Sequence, residues 1–199
     1  MVKMTYVKMF LKYFEEFPVF TANDVKLFLK KNGAGKEYYK LFIHNMVKVG
    51  KVFAIKRGYY TIHDDPMIAG FAFSPFYYGL ETSLTYYKLW DYITPITIIT
   101  TNRVRKSNIE LLGRNASLRS ISKDKFFGYT SVEYKEGIYL PIADIEKTVI
   151  DSIYFHARFN KDIYAKIVGR IDHKKLNHYL KSYNKIIRKQ VYDLLASFE

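Results

Sequence analysis

Two glycine-bearing reversals lie between Thr21 and Ile62, and the segments they separate restrict the fold more than any other part of the chain. Thr21 can accept a hydrogen bond from the first turn of a helix, and Asp24 stands three residues on, the spacing of a capping box. Val25, Phe28 and Leu29 then form an apolar stripe. Asn32-Gly33-Ala34-Gly35 ends this helix, because glycine accepts the left-handed backbone of a tight reversal. A further helix is predicted from about Lys36 to Val49. At about 100° per residue it sets Tyr39, Phe42, Ile43 and Met46 on one face. Glu37, Lys40, Leu41, His44 and Lys48 lie on the opposite face. Gly50 closes it. Lys51 to Lys56 and Tyr59 to Ile62 are strand-like, and the two-residue Arg57-Gly58 connection makes a tight hairpin. Upstream, Met4 to Phe17 carries Tyr6, Met9, Phe10, Tyr13, Phe14 and Phe17 at helical spacing, and Pro18 stops it. Helix, turn, helix and hairpin in this order are the plan of a winged helix-turn-helix. Residues 1–63 are therefore expected to form a DNA-binding domain of that kind.

Charge points the same way. The net charge of +13 is unevenly placed. Residues 1–62 carry 12 Lys/Arg against 4 Asp/Glu, residues 63–155 carry 10 against 11, and residues 156–199 carry 10 against 4. Clustered cations neutralise phosphates and release counterions, which makes nucleic acid the leading partner. A generally lysine- and tyrosine-rich composition is the alternative source of this basicity. Cysteine is absent, so disulfides and thiolate metal sites are excluded. The first residues lack the apolar core of a signal peptide. No apolar run approaches the roughly 20 residues that span a bilayer. These features predict a soluble, cytoplasmic protein with no membrane contact.

Within the first domain, the outer face of the 36–49 helix is expected in the major groove. There Lys36, Lys40, His44 and Lys48 would reach base edges or phosphates, and Leu41 would touch a thymine methyl. Glu37 would be repelled by phosphate unless it accepts from a cytosine amine. Lys51 adds charge beside the hairpin, and Lys56, Arg57 and Tyr59 would serve the wing, along the backbone or in the minor groove. Ordinary solvated residues, or a wing that only covers the helices, are the alternatives.

His63-Asp64-Asp65-Pro66 is the expected junction, a polar linker. A mixed domain of strands and helices is predicted from 67 to 199. Gly79 to Trp90 is helical in period, with Leu80, Leu84, Tyr87 and Trp90 inward. Thr94 to Thr101 is a strand. Leu118–Ile121, Tyr129–Lys135 and Ile138–Ile142 are further strands, the last two joined by Glu136-Gly137. Asp144 to Phe155 returns to helix. A basic helical region follows, with helices near 160–169, 172–182 and 184–197 and Asp172 as an N-cap. The fold class is thus α+β, with a helical C-terminal region.

Five segments of this chain occur in a telling order. They are Arg57-Gly-Tyr-Tyr60, Pro75-Phe-Tyr-Tyr-Gly-Leu-Glu-Thr-Ser-Leu84, Thr94-Pro-Ile-Thr-Ile-Ile-Thr-Thr101, Phe126-Phe-Gly128 and Ile142-Ala-Asp-Ile-Glu-Lys-Thr-Val-Ile-Asp151. The series resembles the AbiEi-type antitoxins, predicted transcriptional regulators of viral defence systems, over nearly the whole chain to about residue 155. Gly79 stands where a serine is more common in that family, and Thr82 where a small residue is usual. The resemblance implies an operator-binding winged helix joined to an antitoxin domain. It also implies a nucleotidyltransferase-like toxin encoded alongside, repression of the shared operon, and type IV antagonism without a stable complex.

No enzyme site emerges from the spacing, and neither a catalytic residue nor a cofactor is expected. A nuclease-like [DE]-x-K is missing, since Ile145-Glu146-Lys147 has isoleucine where the acid should be. No glycine precedes a serine, so the Gly-Ser turn of a nucleotidyltransferase is missing too. Glu146 and Lys147 are expected to cap the helix headed by Asp144 or to pair with neighbours. Gly33-Ala34-Gly35-Lys36 lacks the spacing and the preceding strand of a phosphate loop. His173 and His178 are five apart, about 140° around a helix, and do not converge on one metal ion. Lys174, Lys175, Lys181, Lys185, Arg188 and Lys189, interleaved with tyrosines, form either a second phosphate-tracking surface or the solvated side of a helical hairpin. Two other functions fit the residues less well: a nucleic-acid-processing enzyme with the winged helix as a targeting arm, and a winged-helix protein-interaction module.

Overall fold

The computed structural model describes residues 2–135 and 137–198. The chain is mixed α+β and separates into two compact units. The first comprises Met1–Ser74 with Glu110–Arg114 and Lys135–Ile138; the second comprises Pro75–Ile109, Asn115–Tyr134 and Tyr139–Glu199.

The first unit begins with α1 (Val2–Phe14), β1 (Phe20–Thr21), α2 (Ala22–Lys31) and α3 (Tyr38–Lys48), followed by β2 (Phe53–Lys56) and β3 (Tyr59–Thr61). Helix α1 stops at Phe14, three residues before the expected end. The chain turns there so that Phe17 stacks on Tyr13 with ring centroids 5.5 Å apart. Pro18 is left free to accept from the Thr61 hydroxyl at 2.8 Å. The expected capping box is present at α2: the Thr21 hydroxyl accepts from the Asp24 amide, and the Asp24 carboxylate accepts from the Thr21 amide at 2.7 Å. The three strands pair antiparallel in the order β1-β3-β2. Gly58 takes φ 80° at the hairpin tip, a conformation that costs glycine nothing. Its carbonyl accepts from the Ala22 amide at 3.0 Å, which ties the tip to the start of α2. Phe10, Phe14, Phe20, Val25, Leu29, Phe42, Ile43, Met46 and Val52 close the core of this unit.

The expected polar linker carries local structure. Asp65 caps the short helix α4 (Pro66–Ala69) by accepting from the Met67 amide, and it pairs with Lys135 at 2.6 Å. This buried carboxylate with its cation partner holds the start of α4 in place.

The remaining strands are β4 (Phe76–Tyr78), β5 (Ile96–Thr100), β6 (Asn108–Leu111), β7 (Arg114–Ser120), β8 (Tyr129–Lys135) and β9 (Ile138–Ala143). They form a six-stranded sheet in the order β6-β7-β5-β4-β9-β8. Strands β4 and β5 are antiparallel, while β4 runs parallel to β9 and β5 parallel to β7. Helix α5 (Glu81–Tyr86) is shorter than the predicted 79–90 segment. Leu80 at φ 52° and Lys88 at φ 58° break the helical backbone on either side. Gly79 precedes that turn in close contact: a Cβ there would stand 2.5 Å from the Ile99 side chain. Thr82 accepts from the Thr97 amide at 2.8 Å, so its hydroxyl ties α5 to β5. The C-terminal region is helical as expected: α6 (Ile145–Tyr154), α7 (Lys161–Val168), α8 (His173–Leu180) and α9 (Lys185–Ala196). Asp144, Asn160, Asp172 and Asn184 each cap one of these helices with a side-chain oxygen. No helix among the described residues is long and apolar enough to cross a membrane.

Candidate nucleic-acid interface

Helix α3 buries Phe42, Ile43 and Met46 against the first unit's core, and Tyr39 is half-buried beside them. The opposite face is bare. Lys40, Leu41, His44 and Lys48 are all exposed, and Leu41 keeps 54% of its surface accessible in the middle of the cations. The 3.6-residue period therefore brings together three of the expected contacts, Lys40, His44 and Lys48, on one stripe. Lys36 does not join them on the helix. It sits in the preceding turn, because α3 begins only at Tyr38, whose amide donates to the Gly35 carbonyl at 3.1 Å.

Two of the expected cations are partly engaged. Lys40 holds Glu37 at 2.6 Å on the surface. Their hydrogen bond, with the attraction between them, lowers the Glu37 pKa and raises that of Lys40. This pairing answers the question of where a carboxylate beside phosphate would go: it neutralises its neighbour. Lys56 folds its ammonium over the rings of Tyr59 at 4.3 Å and Phe73 at 4.7 Å. Burial there pushes the Lys56 pKa below the ordinary lysine value. Tyr59 is half-buried and serves as the platform for Lys56. Lys51 and Arg57 are exposed and carry no ion pair among the described residues. Asn45, which the sequence reading did not single out, is also exposed one turn after Leu41. The i, i+4 step from Leu41 was the signal that placed it on the same side.

The six basic residues of the tail divide. Lys175 binds Asp144 at 2.9 Å and Glu146 at 3.3 Å. Burial works against its charge, but the hydrogen bonds and the two carboxylates raise its pKa overall. Arg188 donates to the carbonyls of Tyr183 and Lys181 at 2.8 and 2.9 Å, closing the turn between α8 and α9. These two are structural, because acceptors close in the fold already take their donors. Lys174, Lys181, Lys185 and Lys189 remain exposed, the last 3.6 Å from Asp193.

Behind the tail lies a buried polar network that joins the family-like segments. Lys147 and Asp151 are fully buried and hydrogen-bonded to each other along α6. Lys147 also donates to the Tyr183 hydroxyl at 2.8 Å, and Asp151 accepts from Tyr77 at 2.7 Å. Burial pushes Lys147 down and Asp151 up, and their mutual attraction works against both shifts. Asp151 uses both oxygens, Oδ1 toward Lys147 and Oδ2 toward Tyr77. Burial and the adjacent Asp151 charge raise the Tyr77 pKa far above its ordinary value. Asp144 accepts from Tyr179 at 2.8 Å, and Glu146 accepts from the Asp172 amide at 2.8 Å. Gly128 lies against this cluster at φ 75°, where a Cβ would stand 2.8 Å from the Lys147 Cβ. Glu146 and Lys147 thus pair with neighbours, one of the two roles expected of them.

No family model matches the chain. No curated protein matches it either. A similar solved structure is the RV2827C protein from Mycobacterium tuberculosis, with a TM-score of 0.66 at 14% identity over 98% of this chain and 77% of that one. At that identity the likeness concerns the fold alone. Among the described residues no group of three or more His, Asp or Glu is arranged to hold a metal ion.

Proposed function

We propose that residues 1–63 form a winged helix-turn-helix that binds duplex DNA, and that the protein is an autoregulatory repressor and antitoxin. The carrying observation is the uncovered outer face of α3. Lys48, His44 and Leu41 stand exposed there, and Arg57 is exposed at the hairpin tip. A helix that offers cations and one apolar side chain to solvent suits a major groove, with the hairpin along the backbone. The β1-β3-β2 pairing supports the wing reading, since it anchors the Arg57 tip to the start of α2.

The antitoxin half of the reading rests on the ordered segments of the sequence. The buried network supports it by giving those segments a shared structural role: Tyr77, Gly128, Asp144, Lys147 and Asp151 come from three of them and meet in one cluster. On this reading the second unit opposes a nucleotidyltransferase-like toxin encoded in the same operon, by type IV antagonism without a stable complex, and the first unit represses that operon.

The test is fluorescence anisotropy of the full chain on a duplex from immediately upstream of its own coding sequence, against a scrambled duplex of equal length. Tighter binding to the natural duplex is expected, and Lys48→Glu or Arg57→Glu should each weaken it at least about tenfold. Undiminished binding by both variants, or no binding at low salt, would overturn the assignment.

A further inference from the structure

The first unit carries a second uncovered surface, lined by none of the residues assigned to DNA. A groove of about 880 Å³ runs between α1 and α2. Met9 and Tyr13 line it from α1, Phe17 from the turn that follows α1, and Leu27 from α2. These four are 40%, 52%, 42% and 56% exposed. Contiguous exposure of large apolar side chains on a small unit marks an interaction site.

The charges along the groove say what covers it. The Tyr6 hydroxyl on α1 donates to the carbonyl of Asn32 just past α2, while Phe14 at the end of α1 packs on Phe20 just before α2, so the two helices run antiparallel. Lys12 and Lys31 therefore lie toward one end of the groove, and Glu16 and Asp24 toward the other. Lys12 and Glu16 flank Phe14 by two residues each, while Asp24 and Lys31 flank the Leu27-Phe28 pair. The two midpoints meet in space, the Phe14 and Phe28 rings being 5.7 Å apart. A two-fold axis lying in the interface above that point and running across the groove lays the basic end of one copy on the acidic end of the other, along both sides of the groove at once. It also sets Met9 opposite Phe17 of the second copy and leaves Tyr13 and Leu27 near the axis. Lys12, Lys31 and Glu16 have no ion pair of their own among the described residues.

We propose that the α1–α2 groove is the isologous interface of a homodimer, self-complementary in charge as a two-fold contact requires. An amphipathic helix of arbitrary sequence would fill the apolar floor equally well. Only a second copy brings the reversed charge order by symmetry.

Sedimentation equilibrium of the full chain tests this. At micromolar concentration the mass should approach twice the 23.5 kDa of one chain. Leu27→Glu should give a monomer with an unchanged circular dichroism spectrum. Lys12→Glu alone and Glu16→Lys alone should each weaken the dimer about tenfold, because each reversal acts twice across the axis. The Lys12→Glu/Glu16→Lys double variant should regain wild-type association. An equimolar mixture of the two single variants should form mostly heterodimer. A chain that stays monomeric at high concentration overturns the proposal, even if it captures a helix of another protein. So does a double variant as weak as the singles. None of these outcomes depends on DNA binding, so failure here leaves the repressor reading standing, and the reverse also holds.

Discussion

Replacing Lys147 by methionine keeps most of the side-chain volume and removes only the cation. The carboxylate of Asp151 would then remain in a site with no solvent access, holding a single hydrogen bond from Tyr77. Stranding one member of a buried ion pair typically costs about 3–5 kcal/mol. Domains of this size are stable by about 5–15 kcal/mol, so the loss is a large fraction of the total. At roughly 2–4 °C per kcal/mol, the midpoint of thermal unfolding should fall by about 6–20 °C. The chain's single tryptophan, Trp90, reports on the right unit, because it packs on Phe159 with ring centroids 5.6 Å apart. Urea titration followed by Trp90 fluorescence therefore gives the midpoint and slope for that unit. Removing the second charge should reverse most of the damage. Lys147→Met/Asp151→Leu, with Tyr77→Phe to spare the hydroxyl, should come within about 1–2 kcal/mol of the wild type. A cost below about 1 kcal/mol for Lys147→Met, or no recovery in the combined variant, would refute the account of a mutually dependent buried pair.

Gly128→Ala should lose about 2–5 kcal/mol by the same titration, about 1–2 from the left-handed backbone and about 1–3 from the contact with Lys147. Gly113→Ala, at φ 77° with open space around it, should show only the backbone share. Glu37→Gln frees Lys40 from its surface partner, so the salt dependence of DNA binding should steepen by about one unit of slope. An unchanged slope would place Lys40 away from phosphate. Burial and the Asp144 hydrogen bond push Tyr179 up to about 12, so its neutral form is the one the fold favours. Its stabilising contribution is therefore whole below the ordinary tyrosine pKa of about 10 and is lost as pH rises through the folded value. Alkaline unfolding titrations should show this decline, and Tyr179→Phe should flatten it.

Much of the first unit was legible because its signals are local. Thr21 and Asp24 declare a helix start by themselves, and Phe42, Ile43 and Met46 fix which way α3 faces. The C-terminal helices were legible for the same reason, with Asp144 and Asp172 at their heads. What stayed hidden depends on partners distant in sequence. Strand β4 is three residues, Phe76–Tyr78, buried on both faces, and so shows no alternation to recognise. Strand β1 is two residues that exist only through pairing with Tyr59 and Tyr60. The predicted 118–121 strand belongs to the longer β7, whose first half carries Arg114 and Asn115, residues that composition assigns to a turn. In the candidate interface, spacing identified the α3 stripe but not the folding of Lys56 onto Phe73, 17 residues away. Nor could it assign Lys175 to Asp144 and Glu146, which lie about thirty residues upstream.

The central claim is that free cations of the first unit meet a polyanion. Its most direct test is the slope of log affinity against log salt for the full chain on duplex DNA. Four or five phosphate contacts from Lys36, Lys48, Lys51, Arg57 and a neighbour predict a slope of about −4. In Lys48→Glu/Arg57→Glu the slope should become shallower by about 2. A slope near zero, or one that the double variant leaves unaltered, would contradict the account.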